Sequence, residues 1–223
     1  MNKSLMGCGG VLVVLVVIAL VFGLFVLGKY NGLVKLDQEV NKKWGDVQTV
    51  YQRRADLIPN LVNTVQGAAN FEKSTLTEVT NARASVGRVQ IDASKAPATA
   101  EQLEQFQQAQ GQLGNALSRL LVVSERYPEL KANQNFLGLQ SQLEGTENRI
   151  SVERNNYNEV VQRYNTAVRT FPTNLVAGML GFAPKPFFTA TAGAQNAPTV
   201  NFNFGSPAPA ASAAPAATAA ATP

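Results

Sequence analysis

An uncharged stretch of 25 residues, 4–28, lies between Lys3 and Lys29 and restricts how the rest of the chain can be arranged. Its apolar centre and the glycines beside it reach the roughly 20 residues that a helix needs to span the hydrocarbon core of a bilayer. No Ala-x-Ala cleavage site follows the stretch, which argues against a signal peptide that is removed. We therefore predict an uncleaved transmembrane anchor over residues 1–28, with membrane lipid as its partner.

The charges beside the anchor bear on its orientation. The four lysines that follow it outnumber Lys3 and the amino terminus, so the positive-inside rule places the remainder of the chain in the cytoplasm. A basic start before an apolar run also suits export of the large domain, and this alternative stays open. We predict a single-pass protein of the inner (plasma) membrane, with the large domain on the cytoplasmic side.

Composition excludes several classes of function. The chain has no histidine and one cysteine, Cys8, which leaves no Cys/His zinc cluster, no histidine-dependent triad and no disulfide within the chain. The 19 basic and 15 acidic residues are intermixed, and no basic block interleaves with aromatic residues, so nucleic-acid binding is not expected. We expect no cofactor and no bound metal.

Residues 29–172 have the apolar periodicity of four helices, predicted at about 30–52, 57–88, 103–124 and 128–170. Short connections favour antiparallel neighbours, so we predict an all-α fold in which the anchor is followed by an antiparallel up-and-down four-helix bundle. The fourth helix carries a strict seven-residue repeat of large side chains, which indicates one buried stripe. Its members are Phe136, Leu143, Ile150, Tyr157, Tyr164 and Phe171.

Polar residues are concentrated at the end of the first predicted helix, in Arg53, Arg54, Asp56, Pro59 and Asn60. An aspartate can cap a helix N-terminus, and proline is tolerated in a first helical turn. We therefore predict a corner here, with Asp56 capping the second helix and one of the two arginines paired with a carboxylate across the bundle. A solvated corner is favoured over a binding site.

Two charged residues flank the stripe of the fourth helix: Glu147 and Arg154 lie one heptad apart. A charge buried there without a partner costs several kcal/mol, so each requires a partner or a route to water. Ion pairs between helices are the favoured interpretation, and a polar binding strip inside the bundle is the alternative.

Residues 173–204 form a predicted capping segment, laid over one end of the bundle or against the membrane. Residues 199–204 alternate strictly, which predicts a short strand with Val200, Phe202 and Phe204 on one face. Its nearest partner is the segment 186–191, and pairing is expected either within the chain or between subunits. The final segment, 205–223, is rich in Ala, Pro and Thr and is predicted to be disordered.

Long motifs in all four predicted helices make the chain similar to the LemA family of membrane-anchored bacterial proteins. They are Tyr30-Asn31-Gly32-Leu33-Val34, Trp44, Val47, the segment 52–62, Tyr127-Pro128-Glu129-Leu130-Lys131-Ala132-Asn133, Phe136, Leu143-Glu144-Gly145-Thr146-Glu147-Asn148-Arg149-Ile150, Tyr157-Asn158, Tyr164-Asn165 and Phe171-Pro172. The resemblance covers roughly residues 30–190. The chain departs from the family at Ala68 and Phe71, where an aromatic residue and a histidine are frequent.

The resemblance implies an N-terminal membrane helix and a helical bundle, but no established molecular activity. An association of the family with the magnetosome system suggests a membrane-organising role. We therefore expect a non-enzymatic, self-assembling scaffold, with a homo-oligomer and other membrane proteins as partners. One alternative is a regulatory partner of a membrane protease or transporter. Another is a hydrolase that uses Asp56 or Glu147 with Arg53 or Arg54, although no nucleophile–base pair, phosphate loop or metal set is present in the sequence.

Overall fold

A computed structural model describes residues 3–68, 71–89 and 94–189, with side chains from residue 12 onward. All regular secondary structure in this part of the chain is helical. The helices are α1 (Lys3–Gln66), α2 (Lys73–Arg88), α3 (Ala100–Ser124), α4 (Pro128–Lys131), α5 (Gln134–Arg169) and α6 (Thr173–Leu180).

The first helix passes through the predicted corner without a break. α1 runs for 64 residues, about 96 Å at 1.5 Å per residue, from the apolar segment to Gln66. The prediction that a helix ends near Gln52 and that Asp56 caps the next one is therefore wrong. The side chain of Asp56 instead accepts a hydrogen bond from Gln52 Nε2 at 2.7 Å, one turn earlier on the same helix.

Pro59 lies inside α1, and a contact from α2 explains how the helix accommodates it. Proline has no backbone N–H, so the carbonyl of the residue four positions earlier loses its helical donor. That residue is Ala55, and its carbonyl oxygen accepts a hydrogen bond from Arg83 Nε at 3.1 Å. Arg83 thus replaces the donor that Pro59 lacks.

Contacts between helices establish an antiparallel up-and-down bundle of α1, α2, α3 and α5, which confirms the predicted fold class. The chain turns after Gln66, and α2 returns along α1. On the next pair, α3 Arg119 and α2 Glu78 approach to 3.3 Å, with Arg126 and Glu72 at 3.0 Å. α5 runs antiparallel to α1, with Arg163 and Glu39 at 3.0 Å.

The region predicted as one helix over 128–170 is divided between α4 and α5. Asn133 lies at the division, with extended backbone, and its Oδ1 accepts hydrogen bonds from the backbone N–H groups of Asn135 and Phe136 at 2.9 and 3.3 Å. An asparagine that satisfies free N–H groups in this way is a strong helix N-cap. The heptad repeat therefore begins near the start of α5 and is buried as far as Tyr164. Its last predicted member, Phe171, lies beyond the end of α5 and is 74% exposed, so the prediction that Phe171 belongs to the buried stripe is wrong.

Buried apolar residues form two clusters along the bundle. The anchor-proximal cluster centres on Trp44, whose ring is fully buried against Phe106 and Tyr157. The distal cluster includes Leu61, Val65 and side chains of α2, α3 and α5. In the opposite direction, the side chains described in α1 between residues 12 and 27 are mostly exposed, and this helix includes a segment long and apolar enough to cross a membrane.

After α5 the chain forms α6, which ends at Gly181 with φ 78°, a left-handed conformation that glycine adopts without strain. Residues 182–188, which we call the strap, then return along α1 and α5 in an extended form. The predicted strand 199–204, with Val200, Phe202 and Phe204, and the predicted tail 205–223 lie outside the described residues.

Candidate functional site

A polar layer separates the two apolar clusters, and its centre is Arg54. Arg54 Nη1 donates to Glu147 Oε2 of α5 at 2.9 Å. Nη2 donates to the backbone oxygen of Gln110 in α3 at 3.3 Å and also to the side-chain Oε1 of Gln110. Of the two arginines considered from the sequence, Arg54 therefore forms the cross-bundle ion pair.

The arginine is only 4% exposed, whereas the side chain of Glu147 keeps 60% of its surface in water. The guanidinium also lies over the ring of Tyr51, 5.1 Å from its centroid, and its Nε has no hydrogen-bond partner among the described residues. A buried cation is costly unless its partners are in place. The polar layer therefore favours one alignment of α1, α3 and α5. A slip of α1 would separate the guanidinium from both partners, and a slip of α3 or α5 would remove one of them.

The other residues predicted near this layer are more dispersed. Arg53, Pro59 and Asn60 are exposed on α1. Arg154 donates to Gln107 Oε1 at 3.2 Å and lies over the ring of Phe188, 4.8 Å from its centroid. It therefore contributes to the contact between α5 and the strap rather than to the ion pair of Glu147.

Two open cavities adjoin the layer but do not bring the candidate acids together. The larger, about 840 Å³, is lined by polar residues of α1 including Arg53 and Asp56. The smaller, about 330 Å³, is lined by Arg54 and Glu147 together with residues of α3. No group of three potential metal ligands occurs in the described residues. The geometry supports helix alignment and surface recognition more than acid–base chemistry.

A second polar arrangement, which we call the Tyr–Asn ladder, holds the strap on the bundle. Asn165 Nδ2 donates to the Lys185 carbonyl oxygen at 2.8 Å, and the Lys185 N–H donates back to Asn165 Oδ1 at 2.8 Å. Asn158 makes the same pair of bonds with the backbone of Phe188, at 3.0 and 2.8 Å. The two asparagines thus bind the strap as the edge of a neighbouring strand would.

The tyrosine that precedes each asparagine extends each rung of the ladder. Tyr164 OH donates to the Ala183 oxygen at 3.1 Å, and Tyr157 OH donates to the Pro186 oxygen at 3.3 Å. Burial raises the pKa of Tyr157, and burial and Asp37 raise the pKa of Tyr164 to about 12. Both phenols therefore stay protonated at neutral pH and keep their donor hydrogens.

The ladder works because two repeats have the same length. One heptad of helix rises about 10.5 Å, and three extended residues span about 10 Å. The step from Tyr164-Asn165 back to Tyr157-Asn158 therefore matches the step from Lys185 to Phe188. Backbone groups of Lys185, Pro186 and Phe188 are used here, so those groups are not free to pair with the predicted strand 199–204, whose nearest predicted partner is the segment 186–191.

Lys185 fixes the strap to α1 as well as to α5. Its Nζ lies 2.7 Å from Asp37 Oδ1 and 3.3 Å from Asn41 Oδ1, and it lies over the ring of Tyr164 at 5.5 Å. Asn41 Oδ1 also accepts the backbone N–H of Ala96, in the segment before α3. One polar cluster thus connects three separate parts of the chain.

Sequence reasoning missed most of these residues. Its periodicity marks Gln110 only as a stripe position and the Tyr–Asn pairs only as core and family markers. A usable signal is nevertheless present, because Asn follows Tyr twice at an interval of seven residues. The single charge after residue 172, Lys185 between two prolines, is the other signal.

Comparisons with known proteins identify the family of the chain. A sequence model of the LemA family matches residues 43–202. The chain is 26% identical to magnetosome protein MamQ 2 of Paramagnetospirillum magneticum over 73% of this chain, and it spans 65% of that relative's length. It is 25% identical to magnetosome protein MamQ of Magnetospirillum gryphiswaldense, with 82% of this chain and 74% of the relative covered.

A further relative is protein LemA of Metamycoplasma hominis, which is 25% identical over 77% of this chain and 74% of its own length. The matched region of the family model begins in the buried part of α1 and includes the polar layer and the Tyr–Asn ladder. Since this region is most of the chain, the chain belongs to the LemA family.

Proposed function

We propose that this protein is a non-enzymatic membrane scaffold, anchored by a single pass of α1, that presents its bundle as a docking surface for a second copy of itself or for other membrane proteins. The observation that carries the proposal is the continuity of α1. The apolar segment and the core of the bundle belong to one helix, so no flexible linker separates the anchor from the domain.

The described side chains support a structural role. The strongest polar contacts join helices to one another or hold the strap, as in the polar layer and the Tyr–Asn ladder. The hydrolase alternative needs a nucleophile and an oriented base in one cavity. Asp56 and Glu147 line different cavities, and Glu147 is paired with a buried arginine, so the scaffold is the better supported function.

The larger cavity supports the recognition part of the proposal. It is an open groove beside α1 in which exposed Gln52 and Arg53 lie above the buried rings of Tyr51 and Phe106. Arginine is enriched at protein interfaces, which favours Arg53 as a contact residue. A regulatory partner of a membrane protease or transporter would use the same groove, and only the identity of the bound protein distinguishes this alternative.

The test is crosslinking of the full-length protein in native membranes, with a photoreactive residue at Arg53 and a matched control at exposed Glu159 on α5. Crosslinks from Arg53 to the same protein support a self-assembling scaffold. Crosslinks to one defined protease or transporter support the regulatory alternative. Equal crosslinking from both positions would contradict a recognition role for the groove.

Self-assembly through residues 199–204 is also a proposal. Truncation after Pro198 should lower the number of subunits in the detergent-solubilised protein, calculated from the mass by light scattering divided by the mass of the shorter chain. An unchanged number of subunits would show that Val200, Phe202 and Phe204 do not hold subunits together.

The cytoplasmic position of the bundle is a further part of the proposal. It is tested by labelling a cysteine introduced at Val122, in a Cys8→Ser background, with a membrane-impermeant reagent in intact cells. Val122 is exposed on α3, so the reagent reaches it wherever the bundle faces the reagent. We expect labelling only after cell lysis, and labelling without lysis would contradict the cytoplasmic position.

A further inference from the structure

The pairing of α1 with α5 shows how far α5 extends toward the anchor. Glu39 pairs with Arg163, and Trp44 packs against Tyr157, so each step along α1 is matched by an opposite step along α5. Six residues beyond Arg163, α5 ends at Arg169, level with about residue 33 of α1. That level is about 9 Å along α1 from Leu27, the last large apolar residue of the uncharged stretch 4–28.

The other end of α6 returns to the same level. Phe182 directly follows α6 and its Gly181 cap, and its ring lies 6.0 Å from the ring of Tyr30 in an edge-on arrangement. Both ends of α6 are therefore near the point at which α1 leaves the apolar segment. The helix lies at the anchor-side end of the bundle.

One face of α6 is packed and the other is apolar and exposed. Val176 and Ala177 are buried against α1 and α5. On the other side, Leu175 and Met179, about one helical turn apart, are 59 and 78% exposed, and Phe171, two residues before α6 begins, is 74% exposed. These three residues, which we call the apolar stripe, lie in a segment, 170–184, that contains no charged residue.

The charged residues around this level are basic or already paired. Lys29 and Lys35 on α1 and Arg169 at the end of α5 lie at about the same height along the bundle as the stripe. The nearest acidic residues along α1 are Asp37, which pairs with Lys185, and Glu39, which pairs with Arg163. An exposed apolar face with basic side chains at the same level matches a lipid surface, in which acyl chains lie below anionic headgroups.

We propose that α6 is an interfacial helix whose apolar stripe is covered by the bilayer. The occupant is lipid rather than protein because the stripe lies at the end of the bundle from which the apolar segment of α1 emerges, and basic residues lie at the same level. α6 is about 12 Å long, and it provides a second, shorter membrane contact beside the anchor. This inference rests on the proposed anchoring of α1 in the membrane.

The test uses single-cysteine variants of the full-length protein in a Cys8→Ser background, reconstituted into vesicles of phosphatidylcholine and phosphatidylglycerol. Met179→Cys carries an environment-sensitive fluorophore on the stripe. Val122→Cys, 69% exposed at the far end of α3, is the matched control for an exposed apolar position. Phe22→Cys, in the apolar segment of α1, is the control for membrane insertion. Lipids with a nitroxide quencher high on the acyl chain report contact with lipid.

We expect the Met179 label to emit at shorter wavelength and to lose at least half of its emission to the lipid quencher, while the Val122 label is unaffected. If the Met179 label behaves as the Val122 label does, and the Phe22 label is quenched, the anchor stands and the interfacial helix is refuted. If the Met179 label emits at shorter wavelength without quenching, protein covers the stripe and the lipid assignment is wrong. If the Phe22 label is not quenched, the membrane anchor itself is refuted.

Discussion

The substitution Asn165→Ala tests whether the Tyr–Asn ladder holds the strap. It removes two hydrogen bonds of 2.8 Å between a buried side chain and the backbone of Lys185. At about 0.5–1.5 kcal/mol net for each bond, the loss is about 1–3 kcal/mol. The strap should then open about tenfold more often, since about 1.4 kcal/mol corresponds to a factor of ten.

Hydrogen exchange of the full-length protein in lipid nanodiscs, followed by mass spectrometry of peptides covering residues 182–188, measures this opening. Asn155→Ala, an exposed position on the same helix, is the matched control and should leave exchange in the strap unchanged. The double variant Asn158→Ala/Asn165→Ala should release the strap. Phe188 would then leave the ring of Trp44, on which it stacks at 6.1 Å, and the emission of this sole tryptophan should move to longer wavelength.

Two outcomes would refute the reasoning. Exchange of the strap at the wild-type rate in Asn165→Ala would mean that the ladder does not hold it. An equal increase in Asn165→Ala and Asn155→Ala would mean that the effect is a general loss of helix stability.

Three further predictions concern α1, each checked by thermal or denaturant unfolding of the detergent-solubilised protein. Arg54→Ala should lower the free energy of unfolding by about 2–3 kcal/mol because it removes the buried hydrogen bonds of the polar layer. The control Arg53→Ala, at an exposed position, should change it by less than about 0.5 kcal/mol. Equal effects of the two substitutions would contradict the special position of Arg54. Asp56→Ala should change the free energy of unfolding by less than about 0.5 kcal/mol, since Asp56 lies inside a helix. A loss near the roughly 1 kcal/mol of an N-cap would support the predicted helix break at Asp56. Arg83→Ala should lower the free energy of unfolding by about 1 kcal/mol in the natural chain. The loss should be smaller in a Pro59→Ala background, where the Ala55 carbonyl regains its helical donor. Equal losses in the two backgrounds of this double-mutant cycle would show that Arg83 and Pro59 act independently.

Much of the bundle could be predicted from the sequence because the pattern of apolar residues that specifies a helix lies within the helix itself. The heptad repeat from Phe136 to Tyr164 specified a long helix with a buried face, and α5 has both. The course of α1 could not be predicted in this way. A proline usually interrupts a helix. Here the helix continues through Pro59 because Arg83, 24 positions later in the chain, supplies the missing hydrogen-bond donor.

The candidate site shows the same division. The pairing of an arginine with a carboxylate followed from the cost of burying a charge, which depends little on the partner's position. The ladder depends on two segments with equal repeat lengths, Tyr157 to Asn165 and residues 183–188, and neither segment reveals the other alone. Periodicity could not decide between bundle and membrane for residues 173–180, because that choice depends on where α5 ends.

The uninterrupted course of α1 has a mechanical consequence. From Leu27 to Gln66 the helix extends about 58 Å beyond the apolar segment. Transmembrane helices tilt by about 20° on average, and the tilt changes with bilayer thickness. A change of tilt of about 10° would displace the far end of such a rigid lever by about 10 Å. With α1 spanning a bilayer as proposed, local thinning or thickening of that bilayer would become a lateral movement of the distal end of the bundle.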